Sequence, residues 1–134
     1  MNKKNESLKT IYNTAVEYFQ KKDFKTAEFY CLKILGINSN HFNSISMLAT
    51  IEALKGNFEK AKELLTKGIE IEPNNVVAIL NLGTACKEIG KLEEAISYYN
   101  KVLHLAPKHT NAHYNLGLTF YKLKQLKKAK NYFK

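Results

Sequence analysis

The chain repeats itself every 34 residues. Alanine stands at Ala27, Ala61, Ala95 and Ala129, and 12 positions before each lies a small residue, at Ala15, Ala49, Gly83 and Gly117. A bulky apolar residue recurs at Phe24, Phe58, Leu92 and Leu126, and another at Ile37, Ile71 and Leu105; proline closes two of the units, at Pro73 and Pro107. A repeat of this length is one supersecondary unit that cannot bury its own apolar face, so its copies must stack to make a core.

The units are helical hairpins by their apolar spacing. In the third, Ile79, Leu82, Gly83, Cys86 and Ile89 fall on one helical stripe, and Leu92, Ala95, Ile96, Tyr99, Val102 and Leu103 on another. Gly56-Asn57 and Gly90-Lys91 break the chain between the two stripes, and Pro73 and Pro107 end the second helix. The small residues, Gly83 and Gly117 included, mark where two helices approach closely. That accounts for a helix-disfavouring glycine in both Asn81-Leu82-Gly83 and Asn115-Leu116-Gly117.

With Leu82-Gly83, Ala95, Tyr99 and Pro107 at signature positions, the third unit resembles a tetratricopeptide repeat. The resemblance covers nearly the whole chain: a lead-in over 1–7, units over 8–41, 42–75 and 76–109, and a fourth over 110–134 that is cut short in its second helix. Departures are Ile79 and His113 in place of a large aromatic, Thr14 for Leu, Ser39 for Pro, and Glu52 and Cys86 where Tyr is usual. The resemblance implies an all-α, right-handed α-solenoid of antiparallel helix hairpins. It also implies an interaction module that holds an extended peptide in its concave groove and is no enzyme by itself.

At 100° per residue Asn81 lies opposite the core stripe, with Val77, Leu80, Thr84 and Glu88. That side of a first helix lines the groove, so Asn13, Asn81 and Asn115 are equivalent groove residues, and Met47 interrupts the series. A primary amide offers an acceptor and two donors, enough to pair with a peptide unit's N–H and C=O. First helices about 8–10 Å apart would match every third residue of an extended chain. The row resembles the asparagine ladder of O-linked N-acetylglucosamine transferases. Tyr12, Phe19, Leu80, Tyr114 and Tyr121 are candidates for side-chain pockets, and Asn111 and Thr84 for further polar contacts. The carboxylate clamp of repeat co-chaperones needs cations at set positions. Those positions here hold Tyr12, Val16, Met47, Val77 and Asn81, or Ser46, Thr50, Asn81, Asn111 and Asn115, so that clamp is absent.

Composition narrows the partner to a protein or peptide. The formal charge is +9, yet all 21 basic residues are lysine. Without arginine, the residue that forks onto phosphate and guanine, no specific nucleic-acid binding is expected. No acidic residue follows Glu94, and Lys127, Lys128, Lys130 and Lys134 read as a solvated convex face. Cys31 and Cys86 sit at apolar helical positions and read as reduced core residues. His104, His109 and His113 lack an acidic or thiol companion, so no metal site is expected, and no cofactor loop or activated nucleophile is present. With no transmembrane run and no apolar signal core, the expected location is cytoplasmic. The abrupt end leaves Leu118, Tyr121, Leu126, Tyr132 and Phe133 as candidates for an uncapped face. It suggests further repeats leading into a glycosyl- or sulfotransferase domain, for which this chain would be the substrate-recruiting or scaffolding arm, or self-association through this end.

Overall fold

The computed structural model describes residues 3–132, and side chains over 7–130; the expected end-face residues Tyr132 and Phe133 have side chains outside that range. Among the described residues every element is a helix: α1 Lys3–Gln20, α2 Phe24–Ile37, α3 Phe42–Leu54, α4 Phe58–Ile71, α5 Val76–Glu88, α6 Leu92–Leu105 and α7 Thr110–Tyr132. They form two compact bodies that divide between Ile71 and Glu72. In the first, α1 pairs with α2 and α3 with α4, while α2 lies against α3. In the second, α5 pairs with α6, and α7 packs on α6 and touches α5. The fold is the expected all-α helical repeat.

The turn inside each hairpin is the same local structure in three units. Lys22, Gly56 and Gly90 have φ of +63°, +83° and +85°. The next residue donates its N–H five positions back, Asp23 to Tyr18, Asn57 to Glu52 and Lys91 to Cys86, at 2.8–2.9 Å. Lys22, Gly56 and Gly90 themselves donate to Phe19, Ala53 and Lys87, which completes the paired bonds of a Schellman turn. At Lys22 a side chain occupies the left-handed region, a strain of about 1–2 kcal/mol. Asp23 offsets it by capping α2, its carboxylate accepting from Thr26 N–H at 3.2 Å and Thr26 Oγ1–H at 2.7 Å.

The fourth unit departs from the expected hairpin. At the equivalent Lys124-Gln125 no turn forms, and α7 runs on for 23 residues. Each broken unit has a glycine, a capping side chain or both (Lys-Asp, Gly-Asn, Gly-Lys), whereas Lys-Gln has neither and both residues favour helix. One consequence corrects the expectation for Gly117. Among the described residues no helix returns to cover it, and a Cβ built there would meet nothing within 4 Å. Ala129 is exposed, although its register partners Ala27, Ala61 and Ala95 are fully buried.

Elsewhere the small residues do what the pattern requires. Ala15 packs with Cys31 and Leu48 in the first body. Both cysteines are buried and neither is in a disulfide; Cys31 Sγ lies 3.4 Å from Met47 Sδ, and burial pushes its thiol up to about 11. In the second body Gly83 faces Tyr99, whose ring is fully buried and whose hydroxyl meets Thr84 Oγ1 at 3.0 Å. The buried Glu52 carboxylate accepts from Asn57 Nδ2 at 2.9 Å and pairs with Lys55 at 3.5 Å; the Asn57 bond leads in holding its pKa below the usual value.

First helices of successive units start on an acceptor side chain, also at the 34-residue register. His41 Nδ1, Asn75 Oδ1 and His109 Nδ1 accept the N–H of Ser44, Ala78 and Ala112 at 3.2, 3.0 and 3.2 Å. Ser44 Oγ also lies 2.8 Å from His41 Nδ1, and accepting the Ser44 N–H requires that nitrogen to carry no proton. Burial lowers the His41 pKa. A group with a depressed folded pKa stabilises fully above its unfolded value and loses that contribution as pH falls through the folded value. Urea denaturation should therefore show stability falling by roughly 0.5–1 kcal/mol between about pH 7.5 and pH 5.5, above the carboxylate range. His41→Asn, which caps as Asn75 does without titrating, should flatten that slope; an unchanged slope would remove His41 as its source.

Candidate functional site

The exposed sides of the first helices hold the candidate residues, and each body holds its own set. On α1 Asn13 is exposed. Tyr12 is half-buried, its ring 5.5 Å from that of His41 at the start of α3, and burial raises its pKa. Tyr12 is thus tied into the packing of α1 on α3. Phe19 closes the hairpin edge-on to Phe24 at 5.2 Å. Met47, where the asparagine series lapses, is turned to Cys31.

The second body gathers more. On α5, Leu80 and Asn81 are half-buried, and no side-chain hydrogen bond engages Asn81 among the described residues. Thr84 is already committed: its hydroxyl donates to Leu80 C=O at 3.1 Å and meets the Tyr99 hydroxyl. On α7 Asn111 is exposed, and Tyr114 and Tyr121 present 66% and 63% of their surface to water. Tyrosine left this open on a helix supplies rigid contact area at small entropic cost.

Asn115 differs from the free amide that its position suggests. Its Oδ1 accepts from Lys87 Nζ at 3.2 Å. Asn115 therefore keeps two N–H donors and one of its two carbonyl lone pairs, its acceptor being shared with Lys87. Lys87 was not among the residues singled out in the sequence. Its side chain is 9% exposed, and its nearest counter-charge is Glu88 Oε1 at 4.0 Å. Burial lowers its pKa, Glu88 raises it, and Lys122 lowers it further. Lys87, Glu88, Leu92, Tyr121, Lys122 and Leu126 line a solvent-open trough of about 600 Å³. The helical spacing of Lys87, one turn beyond Gly83 and Thr84 on α5, was the available signal.

His113 Nε2 lies 2.8 Å from Pro107 C=O and His109 caps α7, so both histidines serve the turn that leads into this helix. Among the described residues no helix is long and apolar enough to cross a membrane.

Residues 83–124 match the family model for the TPR repeat. Residues 20–102, more than half of the chain, match the model described as anaphase-promoting complex, cyclosome, subunit 3. No curated protein matches the sequence. Among solved structures, the C-terminal TPR-containing domain of a Plasmodium falciparum FK506-binding protein is similar, with TM-score 0.84 and 26% identity over 93% of each chain. The first TPR of Spaghetti, bound to an HSP90 peptide, gives TM-score 0.84 at 19% identity, over 89% of this chain and 94% of that one. The Thermobaculum terrenum O-GlcNAc transferase gives 0.80 at 23% identity over 89% of this chain, which spans 23% of the transferase.

Proposed function

The chain belongs to the tetratricopeptide-repeat family, and from that premise we propose that it is a protein-interaction module holding an extended segment of a partner protein on the exposed sides of its first helices. The observation that carries the reading is the α5–α7 surface. Two open tyrosines, Tyr114 and Tyr121, stand on the helix that also bears the amide donors of Asn111 and Asn115, and Asn81 is uncommitted on α5. Leu80 adds apolar contact there, and on the first body Asn13 and the edge of Tyr12 make a second, smaller set. Thr84 acts through Tyr99 rather than on the partner. One neighbour of the same fold was solved with a peptide bound, which supports the module class without naming this chain's ligand.

A random library of extended, fluorescently labelled peptides tests the reading by anisotropy. Asn81→Ala/Asn115→Ala should weaken binding by about tenfold or more, from the loss of two peptide contacts. Unchanged binding in the double variant would sink the asparagines as contacts.

The second reading is the recruiting arm of a larger transferase, favoured by asparagine at Asn13, Asn81 and Asn115 in one register. Amides that grip backbone hold many unrelated segments with similar strength. The same library separates the two: an arm binds broadly, whereas a dedicated module selects a narrow set of sequences.

A further inference from the structure

The trough beside α5 and α7 carries an excess of positive charge and of hydrogen-bond donors. Lys87 gives one of its ammonium hydrogens to Asn115 Oδ1 and keeps two. Asn115 has two amide hydrogens and one carbonyl lone pair left, and Lys122 stands at the same trough with three ammonium hydrogens. The carboxylate nearest to Lys87 is that of Glu88, at the 4.0 Å limit of an ion pair, and the other acceptors that line the trough, on Gln125 and Tyr121, are neutral. A side chain as sheltered as that of Lys87 would ordinarily be fully paired, because a buried charge is costly unless it is neutralised. Here two lysines face one carboxylate, leaving a single positive charge in excess.

The opposite wall is apolar. Leu92 is buried at its base, while Leu126 and Tyr121 are exposed at 58% and 63%, with Ala129 beyond them. An α7 that turned back at Lys124-Gln125 would lose this wall, so the trough depends on the helix running straight.

We propose that this trough takes an acidic side chain, Asp or Glu, of an extended partner segment, with an apolar neighbour of that residue on Leu92, Leu126 and Tyr121. The proposal rests on the peptide-binding reading above and specifies its partner. One carboxylate balances the excess charge, whereas a phosphate of nearly two charges would not, and lysine offers point charges rather than the fork that phosphate favours. The trough is open rather than a closed cavity, which suits a chain passing through more than a chain end. Neither Lys87 nor Lys122 occupies a position of the co-chaperone clamp that the sequence lacks. The carboxylate does not replace the Lys87–Asn115 bond; it takes the hydrogens which that bond leaves free.

The test uses the whole chain and labelled peptides acetylated at the N-terminus and amidated at the C-terminus, built as extended apolar segments with one central Glu, and the same peptides with Gln. The Glu peptide is expected to bind about tenfold more tightly than its Gln twin, the size of one charge-assisted contact. Lys87→Met should abolish that discrimination, read as the ratio of the Glu to the Gln affinity, whatever it does to the Gln peptide through Asn115. Lys122→Met, at an exposed position where folding is not at stake, should reduce it severalfold. Equal binding of Glu and Gln peptides overturns the carboxylate site and leaves the module reading standing. Binding only when the peptide ends in a free acid overturns the side-chain source. Absence of binding to any peptide overturns the module reading itself, and this site with it.

Discussion

Tyr99→Ala is expected to destabilise the second body by about 3–5 kcal/mol, the range for truncating a large aromatic in a packed core. Tyr99 is 0% exposed and is the largest of the fully buried side chains. Its ring fills the space that Gly83 leaves on α5, and its hydroxyl meets Thr84, whose own proton is shared with Leu80 C=O. Truncation leaves a ring-sized cavity between α5 and α6 and strips Thr84 of a partner at once. Tyr99→Phe separates the two contributions: it keeps the ring and should cost about 0.5–1.5 kcal/mol, the net worth of one hydrogen bond. Burial already raises the Tyr99 pKa, so the neutral hydroxyl persists through any ordinary pH range and the comparison is free of titration. Urea denaturation of the three proteins measures both differences. If Tyr99→Phe cost as much as Tyr99→Ala, the hydrogen bond rather than the ring would hold the hairpin.

What the sequence disclosed and what it hid divide along physical lines. Hairpin turns at Gly56 and Gly90 were legible because glycine is the residue that pays least for a positive φ. Lys22 makes the same turn without one, readable only through Asp23 as the cap that follows. The straight course of α7 was hidden by the strength of the repeat itself: 34-residue register predicts a turn at Lys124-Gln125, and only the local chemistry of those two residues argues against it. Helix phase placed Asn81 and Asn115 on one side, but phase says nothing of a neighbouring helix. Lys87 reaches Asn115 across 28 residues of sequence, and Tyr12 reaches His41 across 29, so what each amide or ring has left to offer a partner emerges only from packing. The candidate asparagines thereby acquire different chemistry, Asn81 with its amide uncommitted and Asn115 with its carbonyl already shared with Lys87.

The two Asn-Leu-Gly triplets supply the last prediction, since alanine at each glycine should shift stability in opposite directions. At Gly83 a Cβ would lie 2.9 Å from Tyr99 Cε1 and 3.3 Å from Tyr98 Cβ. Tyr99 is enclosed and cannot swing aside, so Gly83→Ala must push α5 and α6 apart, at a cost of about 1–3 kcal/mol. Other hairpins carry alanine at this register because their facing residue is smaller: Ala15 sits with Cys31, and Ala49 has Leu65 at the position that Tyr99 fills. At Gly117 the same substitution meets open space, and the helix gains about 0.5–1 kcal/mol from the loss of glycine's backbone freedom. Denaturant midpoints with unchanged m-values would read both shifts directly. Gly83→Ala/Tyr99→Leu then closes the argument, because shrinking the ring should make alanine tolerable at Gly83. If the double variant lost the sum of the two single costs, the glycine would answer to something other than Tyr99. A Gly117→Ala variant that proved as destabilised as Gly83→Ala would mean that Gly117 is covered in solution. The trough bounded by Leu126 would then close, and the carboxylate site on α7 with it.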